Sequence, residues 1–201
     1  MRSLVWFRRD LRTIDNPALH HATQIATQGS KGGTVALFVM TPQQWLSHDD
    51  APVKISFWLR NLKTLSESLA KLNIPLIVKT CNTFDEVPAV VAKVAQANQC
   101  EHLCFNRAYE INESRRDDAV MNACQNSNTA VQRFHDRVIV PPREIETGGG
   151  AFYKVFTPYR KVWNQKAIDY ASLLPVPKKQ PKIDVKPVSY THLTLPTILL
   201  V

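Results

Sequence analysis

Two groups of polar residues in this sequence have types and spacing that suit ligand binding. The first is a dense charge cluster of Arg8, Arg9, Asp10, Arg12 and Asp15, and the second is the adjacent pair Asn112 and Glu113. A carboxylate beside an amide can pair with the donor and acceptor edge of a heterocycle such as a pterin or a deazaflavin. The arginine-rich cluster could form the polar rim for a planar anionic ligand or for another domain.

Both groups also have purely structural explanations, which the residues alone leave open. Arg–Asp pairs in the cluster could simply tie a loop, with little effect on stability where they are exposed. Asn112 could cap a helix, and Glu113 in the first turn would complement the helix dipole.

The flanking residues predict the elements that position both groups. Residues 4–7 read LVWF, an apolar run typical of a buried strand, and Asn16 and Pro17 suit the cap and first turn of a helix. The charge cluster is therefore predicted on a strand-to-helix loop. Asn112 and Glu113 are predicted at an equivalent place, after a strand at 103–105 and at the start of a helix.

Strands and helices alternate along the chain, which predicts an α/β fold with a doubly wound, Rossmann-like, parallel five-stranded sheet and helices on both faces. The further strands are predicted at 35–39, 76–78 and 131–134. Strand 1 should be central. If strands 1 and 4 are neighbours, a ligand crevice should lie between the loops at 8–16 and 106–113.

Several local features carry finer predictions. Residues 29–33 should form a turn and 41–50 a loop, with Asp49 or Asp50 capping a long helix that Asn73 ends. Asp85 should cap the next helix. Thr157 and Pro158 should cap the last one. The apolar faces predicted for the long helix and the last helix are Trp58, Leu62, Leu65, Leu69 and Leu72, and Tyr159, Val162, Trp163, Ala167 and Tyr170.

Composition changes sharply near the carboxyl terminus. Residues 175–187 are rich in proline and lysine, which is typical of an extended linker. Residues 188–201 carry no charge and are rich in threonine and leucine, unlike the preceding chain. We interpret them as a non-native tail, with a native strand or a partner-binding tail as the alternatives.

Composition and missing motifs exclude several protein classes. The 201-residue chain is 44% hydrophobic with a net charge of +8, compatible with a nucleic-acid partner but weak evidence for one. No run approaches the ~20 apolar residues of a membrane span, and there is no secretory signal region, so a cytoplasmic protein is expected. The absence of phosphate-binding glycine motifs and of a nucleophile elbow argues against a nucleotide hydrolase, a nicotinamide dehydrogenase and an α/β-hydrolase. Packing explains Cys100, His102 and Cys104 better than a metal site does, and no metal is expected.

Four stretches together resemble the DNA photolyase and cryptochrome family. They are WFRRDLRTIDNPAL at 6–19, MTPQQW at 40–45, NRAYEINESRRD at 106–117 and FYKVFTPYRKVW at 152–163. The chain is most similar to the bacterial folate-antenna photolyases of cyclobutane pyrimidine dimers. The resemblance covers residues 1 to about 187.

This resemblance implies that residues 1–174 form the α/β antenna domain and that 175–187 begin the linker to a helical domain absent from this chain. That helical domain would bind FAD and DNA containing pyrimidine dimers, so no catalytic residue is assigned here and the fragment alone should not catalyse repair. The family likeness assigns 5,10-methenyltetrahydrofolate as the antenna chromophore, held by Asn112 and Glu113. A deazaflavin would lie deeper, near residues 8–15. A monomer is expected.

Three functional hypotheses follow from the sequence. The chain is part of a light-dependent DNA repair lyase, or it is the antenna domain of a cryptochrome-type blue-light sensor, or it is a stand-alone α/β binding module. The first is preferred because the likeness extends through the YEINE and FYKVFTPY segments.

Overall fold

The computed structural model describes residues 1–26, 32–170 and 172–185. Five parallel strands form one sheet in the order β3-β2-β1-β4-β5, which confirms the predicted doubly wound fold. The strands are β1 (Arg2–Phe7), β2 (Gly33–Met40), β3 (Leu76–Thr80), β4 (His102–Asn106) and β5 (Ala130–Phe134). The helices are α1 (Pro17–Ile25), α2 (Pro42–Ser47), α3 (Pro52–Lys71), α4 (Val87–Ala97), α5 (Ile111–Asn126) and α6 (Phe156–Tyr170).

Strand β1 is central and is buried along its whole length, because helices cover both faces of the sheet. Alternate residues point to opposite faces of a strand. Leu4 and Trp6 accordingly join a core with α4 and α5, whereas Val5 and Phe7 join a second core with α1 and α3. Four consecutive apolar residues in β1 thus supply both hydrophobic cores.

Strands β1 and β4 pair directly, Leu4 opposite Leu103, so the winding of the sheet reverses between them. Loops leaving two such strands diverge to opposite faces and open a crevice at the carboxyl edge. The predicted position of the crevice, between the loops after β1 and β4, follows from this confirmed pairing.

Two helix ends agree with local sequence rules. Asn16 caps α1 by accepting a hydrogen bond from the Leu19 amide at 3.1 Å, with Pro17 in the first turn. Asn73, just past α3, has a left-handed backbone with φ of +57°, a conformation common after helix ends. The predicted apolar face of α3 is confirmed at Leu62, Leu65 and Leu69, which are buried.

The segment at 41–50 was wrongly predicted to be a loop, since it contains the short helix α2. Pro42 suits its first turn, and burial of Trp45 against Trp58 of α3 anchors it, with ring centroids 6.0 Å apart. Neither Asp49 nor Asp50 caps α3, whose N-cap residue is Ala51; Asp50 pairs with Lys54 instead.

Three other predicted caps are also wrong. The N-cap residue of α4 is Glu86 rather than Asp85, although Pro88 does lie in the first turn. Helix α5 has Glu110 at its N-cap and already includes Asn112, so Asn112 does not cap it. Helix α6 begins at Phe156 and includes Thr157 and Pro158. Each of these three helices begins one or two residues away from the start that the predicted cap implies.

Helix α6 is largely exposed, and none of its residues is buried. On its predicted apolar face Val162, Trp163 and Ala167 are half-buried, while Tyr159 and Tyr170 remain exposed.

The described part of the predicted linker, 175–185, has no helix or strand but packs on the sheet domain, with Gln180 buried against Thr34. The predicted turn at 29–33 lies largely outside the described residues, and the predicted tail at 188–201 lies wholly outside them.

Candidate functional site

A cleft of about 250 Å³ opens at the carboxyl edge of the sheet, between the loops that follow β1 and β4. The loop after β1 contributes Arg8, Arg9, Asp10 and Arg12. An aromatic wall at the other side consists of Trp45 of α2, Trp58 of α3 and Phe84, which lies between β3 and α4. The remaining lining residues are Phe38, Val39, Thr41, Gln44, His48, Asp50, Asn106, Arg107, Ala108, Glu110, Glu113, Arg116, Asp136 and Arg137. The cleft therefore combines aromatic surface with many charged groups.

A buried polar network holds the loop after β1 in place. The Asn106 side chain donates to Asp10 Oδ2 at 2.6 Å and to Asn16 Oδ1 at 3.0 Å, and it accepts from the Ala18 amide at 3.1 Å. Asp10 also accepts from the Arg8 amide at 2.8 Å. Since all three network side chains are buried, their polar groups need these partners. The network ties the end of β4 to the loop and to the start of α1.

Two arginines that line the cleft share one buried carboxylate. Arg8 Nη1 and Arg116 Nη2 lie 3.0 and 2.8 Å from Asp117 Oδ1. Both guanidinium groups also stack on Trp6, at 4.4 and 5.0 Å from the ring centroid. Burial lowers the pKa of Arg8, and the charge of Asp117 opposes that shift. Part of the charge cluster at residues 8–15 is thus structural, because Arg8 forms an ion pair with the buried Asp117.

A second ion-pair group surrounds Glu110 at the mouth of the cleft. Arg137 Nη1 contacts both carboxylate oxygens of Glu110, at 2.7 and 2.8 Å, and Arg9 Nη1 contacts one at 2.9 Å. Hydrogen bonds from Arg137 lower the pKa of Glu110 to about 2. Arg9 also reaches Glu113, with Nη2 3.4 Å from Oε1. Glu110 and Glu113 are therefore both held near Arg9.

The aromatic wall consists of Trp45, Trp58 and Phe84. Lys54 and Arg9 lie 4.8 and 5.9 Å from the Trp58 ring centroid, within the range of cation–π attraction. An aromatic surface beside cationic groups can stack a planar ring while the charged groups contact its polar substituents.

The two sequence-predicted binding residues occupy different environments. Glu113 lies in the first turn of α5, is nearly buried and lines the cleft. Asn112 is exposed on the same turn and is not among the lining residues. The structure therefore brings Glu113, but not Asn112, into the cleft with the charge cluster at 8–12.

Sequence reasoning missed several cleft residues, although some carried a signal. Glu113, Asp117, Val120 and Cys124 share the buried face of α5, and their spacing of four, three and four residues could have shown that this face includes acids. Arg107 lies two residues past the end of the predicted strand at 103–105, inside the loop that was predicted to form the crevice. Trp45 and Trp58 had no comparable signal, because only packing of α2 on α3 brings them together.

The cysteine residues near β4 behave as packing residues. Burial raises the pKa values of Cys100 and Cys104 to about 12 each, so both remain thiols rather than the thiolates that bind metals. Among the residues that the structure describes, no group of three or more His, Cys, Asp or Glu side chains could hold a metal ion.

The fold and the cleft together define a doubly wound α/β domain with a candidate ligand site at the switch point of its sheet. The family model described as DNA photolyase matches residues 3–182, so the chain belongs to the DNA photolyase family. The matched region is the N-terminal α/β part of that family.

The curated relatives are similar to this chain over most of its length. The deoxyribodipyrimidine photo-lyase of Escherichia coli is 38% identical over 160 residues, which cover 80% of this chain and 33% of that protein. The Vibrio cholerae photo-lyase is 34% identical, with the same coverage of 80% and 33%. The chain thus spans about one third of the length of these relatives.

Solved structures share the fold. The Synechocystis cryptochrome matches with a TM-score of 0.79 at 21% identity, over 98% of this chain and 40% of that one. The Sulfolobus tokodaii photolyase, described with two FAD molecules and a novel light-harvesting cofactor, matches with a TM-score of 0.71 at 20% identity, over 92% of this chain and 39% of that one. Among the helices that the structure describes, none combines the length and apolarity needed to cross a membrane.

Proposed function

We propose that this chain is the light-harvesting domain of a photolyase that uses light to split cyclobutane pyrimidine dimers in DNA. The observation that carries the proposal is the cleft between the loops after β1 and β4, where the aromatic wall faces paired arginines and Glu113. The reaction in this proposal is the one named in its relatives, the deoxyribodipyrimidine photo-lyases, which are up to 38% identical to this chain.

In this proposal the antenna chromophore is 5,10-methenyltetrahydrofolate, and Asn112 and Glu113 hold its pterin at the mouth of the cleft. Glu113 is well placed for this role, because its Oε1 atom is oriented by Arg9 and its carboxylate faces the cleft. Carboxylate oxygens accept hydrogen bonds from the amino and ring N–H groups of such a heterocycle. Asn112 would contribute its amide from the exposed side of the same turn, and Trp58 would stack the ring.

When bound, the chromophore absorbs near-UV or blue light and passes the excitation to reduced FAD. The chain's own residues bind and orient it. A helical domain beyond this chain would hold FAD and the pyrimidine dimer, which accords with relatives about three times as long. The proposal includes a cytoplasmic, monomeric protein and assigns no catalytic residue to the present chain.

The test is a titration of the chain with methenyltetrahydrofolate, followed by the shift of its near-UV absorbance. We expect saturable binding, weakened about tenfold in Glu113→Gln, which corresponds to about 1.4 kcal/mol. Asn112→Ala should weaken it less. The matched control is Glu67→Gln, an exposed glutamate on α3 that does not line the cleft.

Equal affinity in wild type and Glu113→Gln would remove this residue from the site. Binding of a deazaflavin or flavin instead of the folate would keep the antenna role and correct the chromophore. A full-length protein that binds FAD yet leaves dimers unrepaired under light would favour the blue-light sensor.

A further inference from the structure

The cleft has six lining arginines, and five of them have carboxylate partners. Asp117 pairs with Arg8 and Arg116. Glu110 pairs with Arg9 and Arg137, and Arg9 also contacts Glu113. Asp136 pairs with the fifth. The paired arginines are Arg8, Arg9, Arg12, Arg116 and Arg137. Their charges are therefore compensated within the protein.

Arg107 differs from these five. Within 1–26, 32–170 and 172–185, no carboxylate pairs with its guanidinium group, and its Nε atom is buried without a hydrogen-bond partner. Its backbone amide donates to the Phe134 carbonyl at 2.7 Å, which fixes the residue at the ends of β4 and β5. A buried, unpaired donor on a charged group is unfavourable unless something accepts from it.

Two aromatic side chains lie close to Arg107. Beside it, Tyr109 and His135 stack with ring centroids 5.9 Å apart, and the Tyr109 hydroxyl lies 2.5 Å from His135 Nδ1. Burial lowers the pKa of His135, and the charge of Arg107 lowers it further. The charge of Glu144 opposes both effects, and Arg107 lies close enough to His135 for its charge to act on the imidazole.

We propose that Arg107 binds an oxyanion, a carboxylate or a phosphate, on the ligand that occupies the cleft. The inference rests on the proposed function only in assuming that the cleft holds a ligand. A guanidinium group offers several donors in a planar fork, which matches the two oxygens of a carboxylate or phosphate. Because Nε is buried and Arg107 lines the cleft, the Nη groups at the end of the side chain would be the donors.

The geometry of the sheet indicates what shape of ligand is required. Trp45 follows β2 and Arg107 follows β4, with β1 between them. Neighbouring strands are about 4.8 Å apart, so the backbones at the ends of β2 and β4 are separated by roughly 10 Å. A planar ring stacked on the wall would therefore reach Arg107 through an anionic arm.

The test compares pairs of probes that differ only in the anion. FMN and riboflavin differ by a phosphate, and methenyltetrahydrofolate and its analogue without the glutamate differ by carboxylates. In wild type we expect the anionic member of at least one pair to bind about tenfold more tightly, and the pair that shows this identifies the anion. In Arg107→Gln the ratio should fall to about one, whereas Arg107→Lys should keep part of it. Arg60→Gln, which removes an exposed arginine from α3, is the control.

A second measurement separates this inference from the proposed function. The arginine Nε–Hε NMR signal of Arg107, assigned by its loss in Arg107→Gln, is followed while inorganic phosphate or acetate is added. A saturable shift without chromophore binding would support the oxyanion site and contradict the antenna role. Unchanged probe ratios in Arg107→Gln, or no shift with either anion, would overturn the inference and leave the antenna role standing. If Arg107→Gln fails to fold, Arg107→Lys and the anion titration of wild type decide.

Discussion

At the scale of single residues, Asn106 joins three parts of the chain that are far apart in the sequence. Its side chain uses both its donor and its acceptor groups to join β4, the loop after β1 and the first turn of α1. Its partner Asn16 in turn caps α1. One buried amide therefore positions the wall of the cleft that carries Arg8 and Arg9.

We expect Asn106→Leu to lower the free energy of unfolding by about 2–4 kcal/mol, because it leaves the buried Ala18 amide without a partner and removes the 2.6 Å hydrogen bond to Asp10 Oδ2. Urea denaturation measures the change. Asn122→Leu, on the exposed face of α5, is the control and should stay within about 0.5 kcal/mol of wild type. Equal effects of both substitutions would contradict the role of the network.

Glu110 gives a pH-dependent prediction. Hydrogen bonds from Arg137 hold its pKa at about 2, below the ordinary 4.5. A depressed carboxylate pKa stabilises the folded state fully above the unfolded pKa, and the stabilisation is lost as the pH falls from about 4.5 to about 2.

Arg137→Gln should therefore raise the Glu110 pKa towards 4.5, as followed by carbon-13 NMR of the carboxyl group. The stability difference between wild type and this variant should be present at neutral pH and disappear in the same acid range. Arg115→Gln, an exposed arginine on α5, should leave the Glu110 titration unchanged. A Glu110 pKa that stays near 2 without Arg137 would show that another group holds it down.

At the scale of elements, the segment at 174–183 acts as a strap on the domain. At one end, Leu174 exchanges hydrogen bonds with Asp15, its carbonyl accepting at 2.9 Å and its amide donating at 3.2 Å. At the other end, Gln180 pairs with both backbone groups of Thr34 at the start of β2, at 2.8 and 3.0 Å. The strap thus runs from the carboxyl edge of the sheet to its amino edge.

Gly33 explains how closely the strap approaches β2. Its φ is +90°, and a Cβ atom there would lie 2.9 Å from Ile183 Cγ2. Only glycine adopts this backbone without strain and leaves the space that Ile183 occupies.

We expect Gln180→Ala to lower the free energy of unfolding by about 1–3 kcal/mol, because the buried amide and carbonyl of Thr34 and the Asn73 carbonyl lose a partner. Thermal and urea denaturation measure this effect. Lys179→Ala, at the exposed neighbouring position, should be close to neutral. A neutral Gln180→Ala would mean that the strap does not belong to the cooperative folding unit.

At the scale of the whole molecule, the described residues form one sheet domain with an exposed apolar region at its carboxyl end. Phe152, Phe156, Ile168 and Leu173 are 66–83% exposed along α6 and its flanks. Several large exposed apolar side chains along one segment are a feature of surfaces that another domain or protein covers. The proposed helical FAD domain is the occupant that the proposed function requires.

The 201-residue chain alone should not repair DNA. With FAD, a reductant, DNA containing cyclobutane dimers and near-UV light, we expect the dimer content to stay at the level of a dark sample, because the residues proposed to hold FAD lie in the helical domain. The Escherichia coli photo-lyase provides the positive control. Light-dependent loss of dimers with this chain would overturn the assignment of catalysis to another domain.

The sequence by itself determined the sheet, because the patterns that predict its strands and helices are local. The run Leu4–Phe7 had to be buried on both faces, the three- and four-residue spacing of Leu62, Leu65 and Leu69 required one buried helix face, and Asn16 with Pro17 marked a helix start. Alternating strands and helices then left few topologies. The strand order then located the cleft between the loops after β1 and β4. Glu113, which the sequence predicted to bind a ligand, lines this cleft.

Only the tertiary structure decided which side chains meet in the cleft. Arg8 pairs with Asp117 and Arg9 with Glu113, each across more than 100 residues, and no local pattern encodes such a pairing. The six-residue helix α2 depends on Trp45 packing against Trp58, so propensity missed it. The proline- and lysine-rich composition predicted only an extended linker, whereas the structure buries Gln180, with Thr34 and Asn73 as its hydrogen-bond partners. Arg107 became a candidate ligand-binding residue only when every other cleft arginine was seen to be paired.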